Sequence, residues 1–325
     1  MESQTLLSVQ NLSTTLNVGP IPLPAVSDVS FEVAAGQILG IVGESGSGKS
    51  VLLRSLHGLI RSKATVTGKV AWQGQDLIGL DEAKLRPIRG GEIGMIFQEP
   101  MTSLNPVLTV GRQIDESLRA HTSLDRDQRR ARALEVMDQV GIPSPRDRIN
   151  AYPHQFSGGM RQRVMIAIAL APRPRLLLAD EPTTALDVTI QDQILHLLKQ
   201  LAADMDMGVI VVTHDLGVVA QTCDTVAVMY AGRIVEKGSV RDVLRRPRHP
   251  YTKGLMQSVP TNEAPRTQLF SIQGTPPALT HLPAGCAYAQ RCGRASDECR
   301  AVLPMLRSED AREFACHHPV EEERA

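Results

Sequence analysis

Between Leu6 and about Gly238, short apolar or β-branched runs alternate with stretches whose apolar residues recur at helical spacing. The runs at 37–42, 176–179, 209–213 and 225–230 are the clearest. Several are continuously apolar, as strands covered on both faces of a mainly parallel sheet must be. The alternation predicts an α/β fold. From Phe97 to Ser157 the pattern changes: residues 109–121 and 125–140 read as charged amphipathic helices with no convincing strand near them, which predicts a helical insertion. After Arg245 the periodicity gives way to prolines (Pro247, Pro250, Pro260, Pro265, Pro276, Pro277 and Pro283), a composition that suits a linker leading to a small separate module. No internal repeat is visible, so one such α/β unit is expected.

Composition narrows the picture. At 325 residues the chain can bury one large core or two smaller ones. Lys plus Arg and Asp plus Glu both total 35, so no net field of either sign draws in nucleic acid or anionic lipid. The longest apolar runs, at 209–212 and 164–171, fall far short of the roughly 20 residues a membrane span needs. The opening residues lack a basic segment followed by a long apolar one, which predicts a cytosolic chain that partners would have to anchor at any membrane. Of five cysteines, four lie between Cys286 and Cys316. In a reducing compartment such clustering points to a metal or cluster rather than to disulfides. Cys223 stands apart and reads as a small buried residue.

The chemistry concentrates in two segments. Gly43-Glu44-Ser45-Gly46-Ser47-Gly48-Lys49-Ser50, followed by Val51, matches G-x-x-x-x-G-K-[ST] and lies between an apolar strand and a helix, where a phosphate-binding loop must lie. Glycines let successive N–H groups turn inward, and the helix N-terminus adds partial positive charge. Lys49 is expected at the β- and γ-phosphates of a nucleoside triphosphate, and Ser50 on Mg²⁺. The second segment is the apolar run 176–179 ending in Asp180-Glu181-Pro182. Asp180 is expected to hold Mg²⁺ directly or through water, and Glu181 to polarise an attacking water. A strand ending in acids is common, so this segment gains weight from the first.

Phe156-Ser157-Gly158-Gly159-Met160 precedes a long apolar helix, with Ser157 suited to cap it and two glycines baring the backbone. This segment resembles the LSGGQ signature of the ABC ATPases. That resemblance implies an ABC nucleotide-binding domain of the P-loop NTPase class, with a RecA-like core, an antiparallel β subdomain and a helical subdomain. It also implies that Ser157, Gly158 and Gly159 face the γ-phosphate bound by a partner subunit, so that two chains sandwich two ATP molecules. Gln98 resembles the Q-loop glutamine that approaches Mg²⁺ and the water, Ala185-Leu186-Asp187 the D-loop, and His214 the switch histidine; they occur in the family's order. Two positions depart from the pattern. Met160 replaces the usual glutamine, and the aromatic that stacks on adenine is missing from residues 13–17, where only the apolar stem of Leu16 is at hand.

The wording 97–106, 152–160, 180–191 and Arg248-His249-Pro250-Tyr251-Thr252 is similar to dipeptide and oligopeptide importer ATPases over nearly the whole chain, and Gly43 to Val51 with Glu99-Pro100-Met101-Thr102 resembles their D-type subunit. The resemblance implies an ATPase domain over 1–246, with the helical subdomain at about 99–170, and a C-terminal extension over 247–325. It implies an F-type ATPase companion, two transmembrane permease subunits and an external solute-binding protein, with this chain peripheral on the cytoplasmic face of the inner membrane. Cys286, Cys292, Cys299 and Cys316 occupy the place where related importers carry a [4Fe-4S] cluster. Zinc, an unmetallated thiol set, and His317 or His318 as substitute ligands stay open. A nucleic-acid ABC ATPase whose metal-bearing cysteines grip DNA is the rival; neutral charge, 3% aromatics and the lack of a coiled coil or second cassette argue against it. The transported solute is not legible.

Overall fold

The computed structural model describes residues 4–98, 103–184, 186–259, 270–309 and 311–321. Glu99 to Thr102, Ala185, Pro260 and Pro265, named above, lie outside them.

The chain opens on two long strands, β1 (Thr5–Leu16) and β2 (Leu23–Ala34). β3 (Ile38–Val42), α1 (Lys49–Leu56), β4 (Ala64–Trp72) and β5 (Gln75–Asp76) follow, then α2 (Glu82–Gly91) and β6 (Ile93–Ile96). A helical stretch holds α3 (Val110–His121), α4 (Arg126–Gln139), α5 (Pro145–Arg148) and α6 (Gly158–Leu170). Alternation resumes with β7 (Leu176–Asp180), α7 (Val188–Asp204), β8 (Gly208–Thr213), α8 (Leu216–Thr222), β9 (Thr225–Tyr230) and β10 (Arg233–Ser239). The last elements are α9 (Val240–Arg245), α10 (Pro250–Gln257), α11 (Asp297–Ala301), β11 (Arg307–Glu309) and β12 (Arg312–Phe314). All four runs named above form strands, and β3, β7 and β8 are buried at every position.

Two compact units share the chain, each assembled from separate segments. One takes the described residues up to Leu7, with Val33–Ile38 and Gly79–Val211. In it β6 and β7 run parallel, Ile93 opposite Leu176 through Ile96 opposite Ala179, and β8 flanks β7. The expected helical insertion is present: no strand occurs among the described residues between 97 and 157. Its helices start where their caps dictate. Thr109 accepts the Arg112 N–H at the head of α3, and Asp125 with Gln128 forms a capping box at the head of α4. Ile114, Leu118, Val136, Met137 and Val164 make the apolar seam. Buried Arg132 donates to the Leu170 and Ala171 carbonyls, satisfying the C-terminal end of α6.

The other unit comprises Ser8–Glu32, Leu39–Ile78 and the described residues from Val212 on. It holds a four-stranded sheet of order β2-β1-β4-β5, and a second ladder in which β3 pairs parallel with β9, β9 antiparallel with β10, and β10 with β12. The last pairing sets Glu236 opposite Phe314 and Lys237 opposite Glu313. Here the structure departs from the sequence reading. The residues after 245 do not stand apart as a separate module: β12 extends the ladder of β9 and β10, and Tyr288 packs with Tyr230 and Tyr251 in the core that also holds Val42 and Val228.

Candidate active site

The phosphate-binding loop joins β3 to α1 in the second unit. Gly48 caps α1 with φ 100°, a backbone state L side chains rarely adopt, and a Cβ there would overlap the Ala25 carbonyl oxygen. A Cβ on Gly43 would likewise meet the Met229 carbonyl oxygen, so both positions require glycine on space alone. Lys49 is 5% exposed, and its ammonium donates to the carbonyls of Gly43 (2.7 Å) and Glu44 (2.8 Å). Ser45 and Gly46 face solvent, Ser47 is buried, and Ser50 and Val51 are half-buried on the first turn. His214, also in this unit, is exposed immediately after β8. Leu16 is half-buried at the end of β1, and among the described residues no aromatic ring follows it before β2.

The other unit gathers the remaining expected residues. Asp180 closes β7 fully buried. Glu181 follows with φ 48°, a strained left-handed conformation for a residue with a side chain, of the kind that concentrates at working sites. Its Oε2 accepts from Gln98 Nε2 at 3.2 Å and from the Thr184 hydroxyl at 2.7 Å, so two expected catalytic residues 83 positions apart touch. Ser157 caps α6 by accepting the Met160 N–H at 3.4 Å, and Gly158 beside it is exposed. Gly159 packs against Ile190, whose side chain a Cβ would crowd. Asp187 caps α7 through the Ile190 N–H at 3.0 Å. An exposed serine with a bare glycine backbone at a 13-residue helix start leaves N–H groups facing outward, where an anion can meet them.

Cys286, Cys292, Cys299 and Cys316 line one small cavity of about 10 Å³ together with His317 and His318. Burial raises the thiols of Cys286, Cys292 and Cys316, the last to about 11, with mutual repulsion among the sulfurs adding to it. All are free thiols, and among the described residues no group of three or more His, Cys, Asp or Glu side chains is arranged to hold a metal ion. The donors converge without coordination geometry. His317 and His318 are engaged by the Val302 carbonyl and the Ser296 hydroxyl. Cys223 is half-buried rather than buried, with its sulfur over Gly40.

Two residues at the loop escaped the sequence reading. Tyr251, fully buried, accepts the Glu44 N–H on its hydroxyl at 2.8 Å, and Arg291 grips the Glu44 carboxylate with both ends of its guanidinium, at 2.7 and 2.9 Å. One signal could have exposed Arg291. An acid inside a cradle for phosphates calls for a cation to offset it.

Comparison with known proteins gives the family. Residues 26–184 match the family described as ABC transporter, and residues 235–299 the family described as oligopeptide/dipeptide transporter, C-terminal region. The chain is 47% identical to the dipeptide transport ATP-binding protein DppD of Haemophilus influenzae, over 98% of this chain and 97% of that one. It is 45% identical to the oligopeptide transport ATP-binding protein OppD of Escherichia coli, over 99% and 95%. Among solved structures it resembles the dimeric bacterial ABC transporter cassette MJ0796, with TM-score 0.64 and 33% identity over 72% of this chain and 99% of that one.

Proposed function

The chain belongs to the ATP-binding proteins of the ABC transporters, in the dipeptide and oligopeptide branch, and from that premise we propose that it binds and hydrolyses ATP to energise import of dipeptides, oligopeptides or related small solutes. The observation that carries the reading is the Gln98–Glu181 contact beside the buried Asp180, at the end of a strand in an ABC-type chain. The loop from Gly43 to Val51 cradles the phosphates, and Lys49 supplies the cation. By the family likeness Ser50, Gln98 and Asp180 would be the Mg²⁺ ligands, and the ion would neutralise phosphate charge. Glu181, held in place by Gln98 and Thr184, accepts a proton from the attacking water, and His214 stabilises the developing charge.

Ser157, Gly158, Gly159 and Asp187 complete the site of a second ATPase, an F-type companion. The exposure of Ser157 and Gly158 supports this, because a surface helix start is open to a partner's γ-phosphate. By likeness to the peptide-transport ATP-binding proteins, two permease subunits hold the pair peripherally at the cytoplasmic face, fed by a solute-binding protein; no described helix is long and apolar enough to cross a membrane. The ATPase domain is taken as 1–246, with its helical part at about 99–170, and the C-terminal extension as 247–325. In that extension Cys286, Cys292, Cys299 and Cys316 would be the ligands of a [4Fe-4S] cluster; four free thiols on one cavity support the donor set, and iron against zinc content of anaerobically purified protein decides the metal.

The test is Glu181→Gln. It keeps ATP binding, lowers hydrolysis by roughly 100-fold or more, and accumulates an ATP-bound dimer on gel filtration. Unchanged turnover removes Glu181 from its role.

A further inference from the structure

The loop's second residue is an acid, and a carboxylate in a cradle for phosphates repels the ligand the cradle exists to hold. Glu44 is only half-buried, yet it is fixed from three sides, twice by residues remote in sequence and once by Lys49 of its own loop. Tyr251 accepts its N–H, Arg291 takes both carboxylate oxygens, and its carbonyl receives the Lys49 ammonium. The Arg291 side chain is 5% exposed; its guanidinium donates also to the Tyr230 hydroxyl at 3.2 Å and lies 5.8 Å and 5.9 Å from the ring centres of Tyr230 and Tyr288. Tyr230, Tyr251 and Tyr288 pack on one another, with ring centres 4.6 to 5.4 Å apart. A bidentate pair on an aromatic floor is a built, oriented contact and not a chance surface ion pair.

Resting on the ATPase reading above, we propose that Arg291 is a positioning residue for the nucleotide site: it neutralises Glu44 and so makes ATP affinity depend on the C-terminal segment. Arg291 touches no reacting atom. It acts through Glu44, which shares the loop with Lys49, and it adjoins Cys292, so the conformation of the cysteine-lined cavity and the charge of the phosphate loop are linked by one residue. A carboxylate freed of its partner stays beside the phosphates and opposes their binding. Because the fault is a charge, removing that charge corrects it.

The experiment measures ATP binding to the full-length chain by titration calorimetry for the wild type, Arg291→Ala, Arg291→Lys, Glu44→Gln, the double variant Arg291→Ala with Glu44→Gln, and Lys49→Ala. Arg291→Ala is expected to weaken ATP binding roughly tenfold, with the loss growing at low salt. Arg291→Lys keeps the charge but loses the two-pronged grip on Glu44, so its affinity falls between wild type and Arg291→Ala. The double variant, which leaves no unpaired buried charge and so folds even where the single variant does not, recovers most of the affinity. The control Arg300→Ala, on an exposed pair with Asp297 in the same segment, leaves affinity unchanged. Wild-type affinity in a folded Arg291→Ala protein overturns the proposal, and so does a double variant as weak as the single one. A wild type that binds no ATP, or a Lys49→Ala that binds it normally, overturns instead the nucleotide reading beneath it.

Discussion

Replacing His249 with asparagine isolates a titration that the structure holds far from its ordinary range. His249 is 1% exposed, caps α10 with its Nδ1 accepting the Tyr251 N–H at 3.0 Å, and donates its own N–H to buried Glu236. The acceptor role of Nδ1 puts the neutral ring's proton on Nε2. Burial lowers the ring's pKa from 6.5 to about 3. A base lowered in the folded state contributes stability that is full above its unfolded value and is lost as pH falls, here between 6.5 and about 3. At pH 5 the unfolded chain binds a proton that the folded chain refuses, which costs about 2 kcal/mol; by pH 4 the cost is about 3 kcal/mol. Against a total stability of roughly 5–15 kcal/mol, that is a large share. Asparagine keeps an oxygen acceptor at a cap position it favours and removes the titration. It also gives up the ring contact with Tyr288, so the variant starts about 1–2 kcal/mol lower at pH 7. Glu236, raised by burial, changes with the opposite sign and is common to both proteins. The assay is urea unfolding at pH 7 and pH 5 at fixed ionic strength. Wild type should lose about 2 kcal/mol more than His249→Asn across that step. Equal losses, or an imidazole titration midpoint near 6 by NMR, refute the reasoning.

Thr184→Val removes the hydroxyl that holds Glu181 Oε2 at 2.7 Å while keeping the side chain's shape. It should lower kcat roughly tenfold with KM for ATP little changed, because the lost contact orients a group that acts in the transition state. A rise in KM alone would contradict that role. Asp125→Ala opens the capping box of α4 and should cost about 1 kcal/mol in thermal or urea unfolding with ATPase per folded molecule unaltered; an unchanged unfolding midpoint counts against the cap.

The parts of this fold that could be read from sequence are those whose cause is local. Four strands announced themselves because burial on both faces demands uninterrupted apolar residues, and α3 and α4 began at Thr109 and Asp125 because a cap is a neighbour-to-neighbour bond. The phosphate loop was legible for the same reason. Its glycines answer a turn that eight consecutive residues make among themselves, although the obstacles that enforce Gly43 and Gly48, the Met229 and Ala25 carbonyls, come from elsewhere. What stayed hidden is what joins distant segments. β11 and β12 are three residues each, too short to show alternation, so nothing signalled that β12 would extend β10 and bind the C-terminal residues into the unit that carries the loop. Tyr251 and Arg291 reach Glu44 across 207 and 247 positions, and no periodicity records such a pairing. Yet Glu44 did leave a trace. A glycine, a serine and a lysine in a phosphate cradle explain themselves, whereas an acid there requires a partner the local sequence does not contain, and that electrostatic debt pointed out of the loop to a cation elsewhere in the chain.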